Sequence, residues 1–268
     1  MERKILFIRG EMKQKIVVKI GTNVLADNSG NINYKIMESL VEDIAKSIKM
    51  GIDILVVTSG AIGSGMSELG IKEKPKDVKM QQACAAVGQS ILISKYREFF
   101  NKHGIKAAQI LLAYDDFTDA KSEINMGNSI STLLDLGAIP IINENDPISI
   151  NEIGPSFGDN DKLSAMVACK VKASALIILT SVDGLYDKNP ESKDAKLIKE
   201  VHDFSSAIIS LDGKSKSLGV GGIKTKIAAA KLATEQGIIT IIANGKRKSI
   251  ITEIIAGKKP GTVFYAHG

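Results

Sequence analysis

Residues 158–165 read Gly-Asp-Asn-Asp-Lys-Leu-Ser-Ala: two carboxylates and an amide follow a glycine and run into a helix-like segment at 163–170. An Asp or Asn at a helix start accepts hydrogen bonds from the first free N–H groups. One such residue is enough for that task, and three are present, Asp159, Asn160 and Asp161. The others suit a second task at a helix N-terminus, holding a cation or fixing a lysine near phosphate. A lysine of that kind stands at Lys19, where it interrupts the β-branched run Ile16-Val17-Val18-Lys19-Ile20 just before Gly21-Thr22-Asn23. Within a strand of this composition a lysine costs free energy unless it has a partner or faces water on an edge strand. Further along, Gly221-Gly222-Ile223-Lys224-Thr225-Lys226 delivers two glycines, a threonine and two lysines to a helix start, which suits nucleotide phosphates.

Two other polar stretches follow apolar runs. Ser59-Gly60-Ala61-Ile62-Gly63-Ser64-Gly65 comes after residues 54–58, and its glycines let the backbone approach a ligand closely. The spacing is neither GxGxxG nor a Walker A motif, and a plain strand-to-helix turn explains it equally well. Asn143-Glu144-Asn145-Asp146-Pro147 comes after residues 137–142 and reads either as a turn or as a site.

The elements that would carry these residues alternate. Strands are predicted at 16–20, 54–58, 105–112, 137–142, 175–180, 238–243 and 262–264. Helices are predicted at 34–50, where Ile36, Leu40, Ile44 and Ile48 recur every four residues, and at 79–102, with a possible interruption at Gly88. Further helices are predicted at 118–136, 163–170, from the 221–226 segment to 235, and at 249–255. This alternation predicts an α/β protein, a three-layer α/β/α sandwich with a mostly parallel central sheet. The expected organisation is an N-terminal extension at 1–14 followed by one domain at 15–268. In open α/β sheets ligands bind beyond the carboxyl ends of the strands, and Lys19, Ser59, Asn145 and Asp146 all stand at such ends.

Composition narrows the function classes. The 268 residues are 44% hydrophobic and 24% charged, ordinary for a globular chain. Aromatics are 4%, with no Trp, which argues against a base-stacking nucleic-acid platform. The net charge of +5 is spread along the chain and fits anionic small molecules rather than nucleic acid. Cys84 and Cys169 lie in apolar helical runs without a CxxC pattern or a nearby His, so both are expected as buried free thiols in a reducing cytoplasm. His103, His202 and His267 are too scattered to suggest a metal cluster. No apolar run approaches the length of a membrane span, and 1–14 lacks the features of a secretory signal.

Taken in order, Val17 to Thr22, Val56 to Ile62, Ala85 to Gln89, Ile141 to Asp146, Gly158 to Asp161 and Gly221 to Lys226 resemble the amino-acid kinase family. The Ile-Asn-Glu-Asn-Asp and Gly-Asp-Asn-Asp runs resemble its glutamate-phosphorylating branch. That resemblance implies transfer of the γ-phosphoryl of ATP to the side-chain carboxylate of L-glutamate, the first step of proline synthesis. It implies that Lys19 and Lys226 contact the transferring phosphate and that Asp161 holds both lysines. Ser59, Asp146 and Asn160 match glutamate-binding positions. Thr180 and Ser181 match the dipeptide beside the nucleotide. Val220, Gly221, Gly222, Ile223, Lys224, Thr225 and Lys226 match the loop over ATP. Mg²⁺ on the ATP phosphates, a cytoplasmic homo-oligomer and contact with the next enzyme of proline synthesis are also implied, with neither nucleic acid nor membrane as partner.

The chain departs from the family pattern in places. Ser181 replaces a usual Asp, Val220 a usual Thr, and Asn125-Met126-Gly127-Asn128 a commoner Asn-Ala-Arg. The RNA-binding-like PUA module of many relatives is not expected, as the sequence stops at Gly268. Rival readings are sister kinases for N-acetylglutamate, aspartate, carbamate or uridylate, and a non-catalytic sensor. Asn143-Glu144-Asn145-Asp146 disfavours the first group, and retention of Lys19, Asp161 and Lys226 disfavours the second.

Overall fold

The computed structural model describes residues 13–27, 31–148, 160–204 and 222–266. The first half runs β1 (Lys15–Ile20), α1 (Thr22–Leu25), α2 (Tyr34–Lys49), β2 (Asp53–Val57), α3 (Ala61–Glu68), α4 (Val78–Asn101) and β3 (Lys106–Leu112). After a 3₁₀ turn at Tyr114–Phe117 come α5 (Ala120–Asp135), β4 (Ala138–Glu144), α6 (Asp161–Lys170) and β5 (Ala175–Thr180). The rest is β6 (Glu200–Val201), α7 (Ile223–Thr234), β7 (Ile239–Asn244), α8 (Ile250–Ile255) and β8 (Thr262–Phe264).

All eight strands join one sheet in the order β3-β4-β2-β1-β5-β7-β8-β6. Every neighbouring pair is parallel except β7–β8. The two-residue period of a strand sends alternate side chains to opposite faces, and the core divides accordingly. Ile16, Val18 and Ile20 of β1 pack with α2, α4 and α8 on one face. Val17 packs with α5, α6 and α7 on the other. Helices thus cover both faces of a mostly parallel sheet, the expected three-layer α/β/α architecture.

Helix starts follow side-chain caps. Asn33 accepts from the N–H groups of Lys35 and Ile36, and Asp77 from that of Met80. Asp119 accepts from Ser122 N–H at 2.7 Å, so α5 opens at Ala120 and not at 118.

The structure settles two open readings and changes other expectations. β1 lies between β2 and β5, so Lys19 is on a central strand and not at a water-facing edge. Asn143 and Glu144 are the last residues of β4 and not part of a turn. α4 passes through Gly88 unbroken, because this glycine serves a helix contact: a Cβ there would stand 1.8 Å from the Ala61 carbonyl. Gly65 makes the reciprocal approach, with 1.8 Å from such a Cβ to the Cys84 carbonyl. Cys84 is buried but Cys169 only half-buried, and both are free.

Candidate active site

Period-2 geometry puts Lys19 on the same face of β1 as Val17, toward α6 and α7. There it meets Asp161, the first residue of α6, with Lys19 Nζ 2.6 Å from Asp161 Oδ1. Lys226, in the first turn of α7, places its Nζ 3.0 Å from Asp161 Oδ2. All three are buried, at 3%, 0% and 8% exposure for Lys19, Asp161 and Lys226. Thr225 Oγ1 lies 2.9 Å from Asp161 Oδ2 and 2.7 Å from the Gly222 carbonyl, its single proton serving one of them at a time. One carboxylate therefore spaces two buried ammonium groups and fixes both long side chains. Burying such a group is costly unless its charges are paired and hydrogen-bonded, and here they are.

Beside this triad, a cavity of about 700 Å³ opens at the carboxyl ends of β2 and β4. Ser59, Gly60, Met66, Lys74, Asp146 and Asn160 are among its lining residues. Gly60 shapes its wall with φ 106°, a left-handed backbone that favours glycine, immediately before α3. Asn160 does not cap α6, contrary to the simple reading of an amide at a helix start. Its Nδ2 donates instead to the Thr58 carbonyl and, at 2.6 Å, to Asn143 Oδ1. Asn160 Oδ1, Ser59 Oγ and Asp146 Oδ1 are buried with no hydrogen-bond partner among the described residues. Burial above all, then the negative charge of Glu144, pushes the Asp146 carboxyl up to about 7, with Lys74 opposing. A strained acid and two bare oxygens make this pocket rich in acceptors, suited to a ligand that brings a cationic donor.

Lys19, Asp161 and Lys226 come together as expected, and so do Ser59, Asp146 and Asn160. Thr180 and Ser181 are half-buried at the end of β5, next to β1, with the Thr180 carbonyl taking Gly245 N–H at 2.9 Å. Gly222 caps α7 without a side chain, Ile223 is half-buried and Lys224 is exposed. Asp159, Val220 and Gly221 lie outside the described residues. Sequence reasoning missed that Asn143, itself held by Gln89, fixes the Asn160 amide, and that Thr225 partners Asp161. The Ala85 to Gln89 run was noticed, but no local pattern assigns a lone glutamine on a helix to a partner more than fifty residues away. Among the described residues no three His, Cys, Asp or Glu side chains cluster as for a metal ion. No helix among them is long and apolar enough to cross a membrane.

Comparison with known proteins agrees with this geometry. The chain is 49% identical over 261 residues to the glutamate 5-kinase of Methanosarcina barkeri, covering 94% of this chain and 68% of that protein. It is 43% identical over 252 residues to the glutamate 5-kinase of Clostridium acetobutylicum, covering 93% of this chain and 94% of that one. In fold it is similar to carbamate kinase from Giardia lamblia bound to AMP-PNP, with TM-score 0.68, 17% identity, and 95% and 99% of the two chains covered. UMP kinase from Bacillus anthracis superposes with TM-score 0.65 at 16% identity, covering 95% and 97%. The sequence pattern of the amino acid kinase family matches residues 14–244, from the residue before β1 to the end of β7 and so across the whole triad. The chain belongs to the amino acid kinase family.

Proposed function

We propose that this protein transfers the γ-phosphoryl group of ATP to the side-chain carboxylate of L-glutamate, giving L-glutamyl 5-phosphate and ADP as the first step of proline synthesis. The observation that carries this reading is the buried Lys19–Asp161–Lys226 triad beside an acceptor-rich pocket. The 49% and 43% identities to glutamate 5-kinases support the choice of acceptor.

The nucleophile needs no general base, because a side-chain carboxylate is ionised at neutral pH. One carboxylate oxygen bonds to the γ-phosphorus as the bond to the β,γ-bridging oxygen breaks, and the electron pair leaves on ADP. Charge spreads over the equatorial oxygens in the transition state, so catalysis is mainly positioning and charge stabilisation. Lys19 and Lys226 supply that charge, and Asp161 keeps them apart and in place. Asp146 and the Asn160 oxygen take the α-ammonium, and Ser59 adds a hydroxyl. Thr180, Ser181 and residues 220–226 flank the nucleotide. Mg²⁺ would be held chiefly by the ATP phosphates and would offset their charge, since among the described residues the carboxylate at the triad is already committed to Lys19, Lys226 and Thr225.

The test is ADP release with Mg²⁺ and L-glutamate, N-acetyl-L-glutamate, L-aspartate, carbamate or UMP offered separately. Turnover with L-glutamate alone is expected, because N-acetylation removes the cation that the bare oxygens require. Turnover with a different acceptor alone would overturn the pocket assignment, and none with any would overturn the kinase reading.

A further inference from the structure

Asn143 and Asn160 of the cavity wall belong to a run of side-chain amides whose hydrogen-bond directions are fixed from both ends. The backbone carbonyl of Glu144 can only accept, so the group 3.0 Å from it is Gln89 Nε2. The Gln89 oxygen is thereby turned the other way, where it accepts from Asn143 Nδ2 at 3.1 Å and from Gln109 Nε2 at 3.5 Å. Asn143 must then present its oxygen to Asn160, whose Nδ2 donates to it at 2.6 Å. The far end is closed by the Thr58 carbonyl, again only an acceptor, which takes the same Asn160 nitrogen. An amide has one oxygen face and one nitrogen face. Turning any member over would set oxygen against oxygen or N–H against N–H at its neighbours.

What remains is Asn160 Oδ1, buried, without a partner among the described residues and lining the cavity with Ser59 and Asp146. Gln89 is itself buried at 6% exposure. It directly follows Gly88, whose backbone lies against Ala61, so its main chain is clamped to α3.

We propose that Gln89 is a specificity-determining positioning residue: through Asn143 it locks the Asn160 amide so that an oxygen, and never an N–H, faces the α-ammonium of the amino-acid substrate. This rests on the glutamate reading above. Without Gln89 the Asn143 amide can turn over, and its turned form sets N–H against Asn160 Nδ2, leaving the Thr58 carbonyl alone to oppose an Asn160 orientation whose N–H repels the ammonium. The apparent affinity falls with the fraction correctly oriented. Glutamine suits the position because it donates at one end and accepts at the other. Methionine keeps the length but does neither. Leucine likewise offers neither a donor nor an acceptor there.

The experiment is steady-state kinetics of the full chain carrying Gln89→Met, with Gln89→Leu as a second variant in case the first does not fold. Each is expected to raise KM for L-glutamate about tenfold, on the scale of one lost buried hydrogen bond, while KM for ATP moves less than about twofold. In an Asn160→Ala background the same change should add less than about twofold, because its effect runs through Asn160. A wild-type KM for glutamate in both variants, an equal rise in the two KM values, or full additivity with Asn160→Ala would each overturn the proposal. A wild-type chain that does not turn over glutamate overturns the underlying reading and this proposal with it. If the wild-type turns it over while the Gln89 variants keep its KM, this proposal alone fails.

Discussion

At the scale of single residues, two buried charges set the chemistry. In the proposed reaction Lys226 would meet the transferring phosphate most strongly when charge has spread in the transition state. Lys226→Ala should therefore lower kcat by about 100-fold or more while changing KM for glutamate far less; initial-rate kinetics with an unaltered kcat would remove its role. Asp146 works with its carboxyl raised from 3.8 to about 7. Only the ionised form attracts an ammonium, so KM for glutamate should rise on acidification through pH 7, approaching tenfold per pH unit below it. A flat KM profile between pH 5.5 and 8 would contradict this. Because the folded-state value lies above the unfolded one, the folded chain binds the extra proton. Its stabilising effect is complete below about pH 4 and lost as pH rises through about 7. Asp146→Asn should thus raise the melting temperature more at pH 8 than at pH 5 while weakening glutamate binding. Lys19 was legible in the sequence because a charge inside an apolar run stands out, whereas Asp161 and Lys226 were legible through polar runs that resemble those of the family. Orientation was not: that Asn160 would direct its nitrogen at Thr58 instead of capping α6 depends on contacts far away along the chain.

Elements place these residues, and here the sequence was read less well. Gly88 looked like a break because glycine weakens an isolated helix, yet its lack of a side chain is what lets α4 touch α3. Gly88→Ala would drive a methyl to 1.8 Å from the Ala61 carbonyl. Forcing the helices apart should cost about 1–3 kcal/mol and shift both Ser59 and Gln89. Denaturant unfolding should show the loss and kinetics a raised KM for glutamate; wild-type values for both would refute the account of this contact. A second element-scale device lies far from the site. Asp43 of α2 accepts from Ile251 N–H at 2.7 Å, and from Thr252 N–H and Oγ1 at 3.2 and 2.7 Å, capping α8 across the sequence. Asp43→Ala should cost about 1–2 kcal/mol of stability and leave kcat and both KM values near wild type. An equal loss of activity in the folded variant would place Asp43 in the catalytic framework instead. No sequence pattern marks Asp43, since its partners are more than two hundred residues away.

For the whole molecule, the alternation of apolar strands and amphipathic helices was enough to give the layers, because burial on both faces leaves a continuous apolar signature in the central strands. Strand order was beyond that signature. β1 sits at the centre with β2 and β4 to one side and β5 and β7 to the other. Lys19 therefore emerges where the chain reverses its direction of build, the crevice where open α/β sheets hold ligands. The two-residue β6 was missed, since so short a strand carries no period.

The central claim is that a glutamate carboxylate oxygen attacks the γ-phosphorus of ATP. The most direct measurement supplies L-glutamate labelled with ¹⁸O in its side-chain carboxylate and traps the product with hydroxylamine, which attacks the acyl carbon and releases the former nucleophilic oxygen with phosphate. Phosphate carrying one ¹⁸O atom, seen by its ³¹P isotope shift, is the result expected. Unlabelled phosphate would mean that water or another acceptor took the phosphoryl group, and would contradict the account.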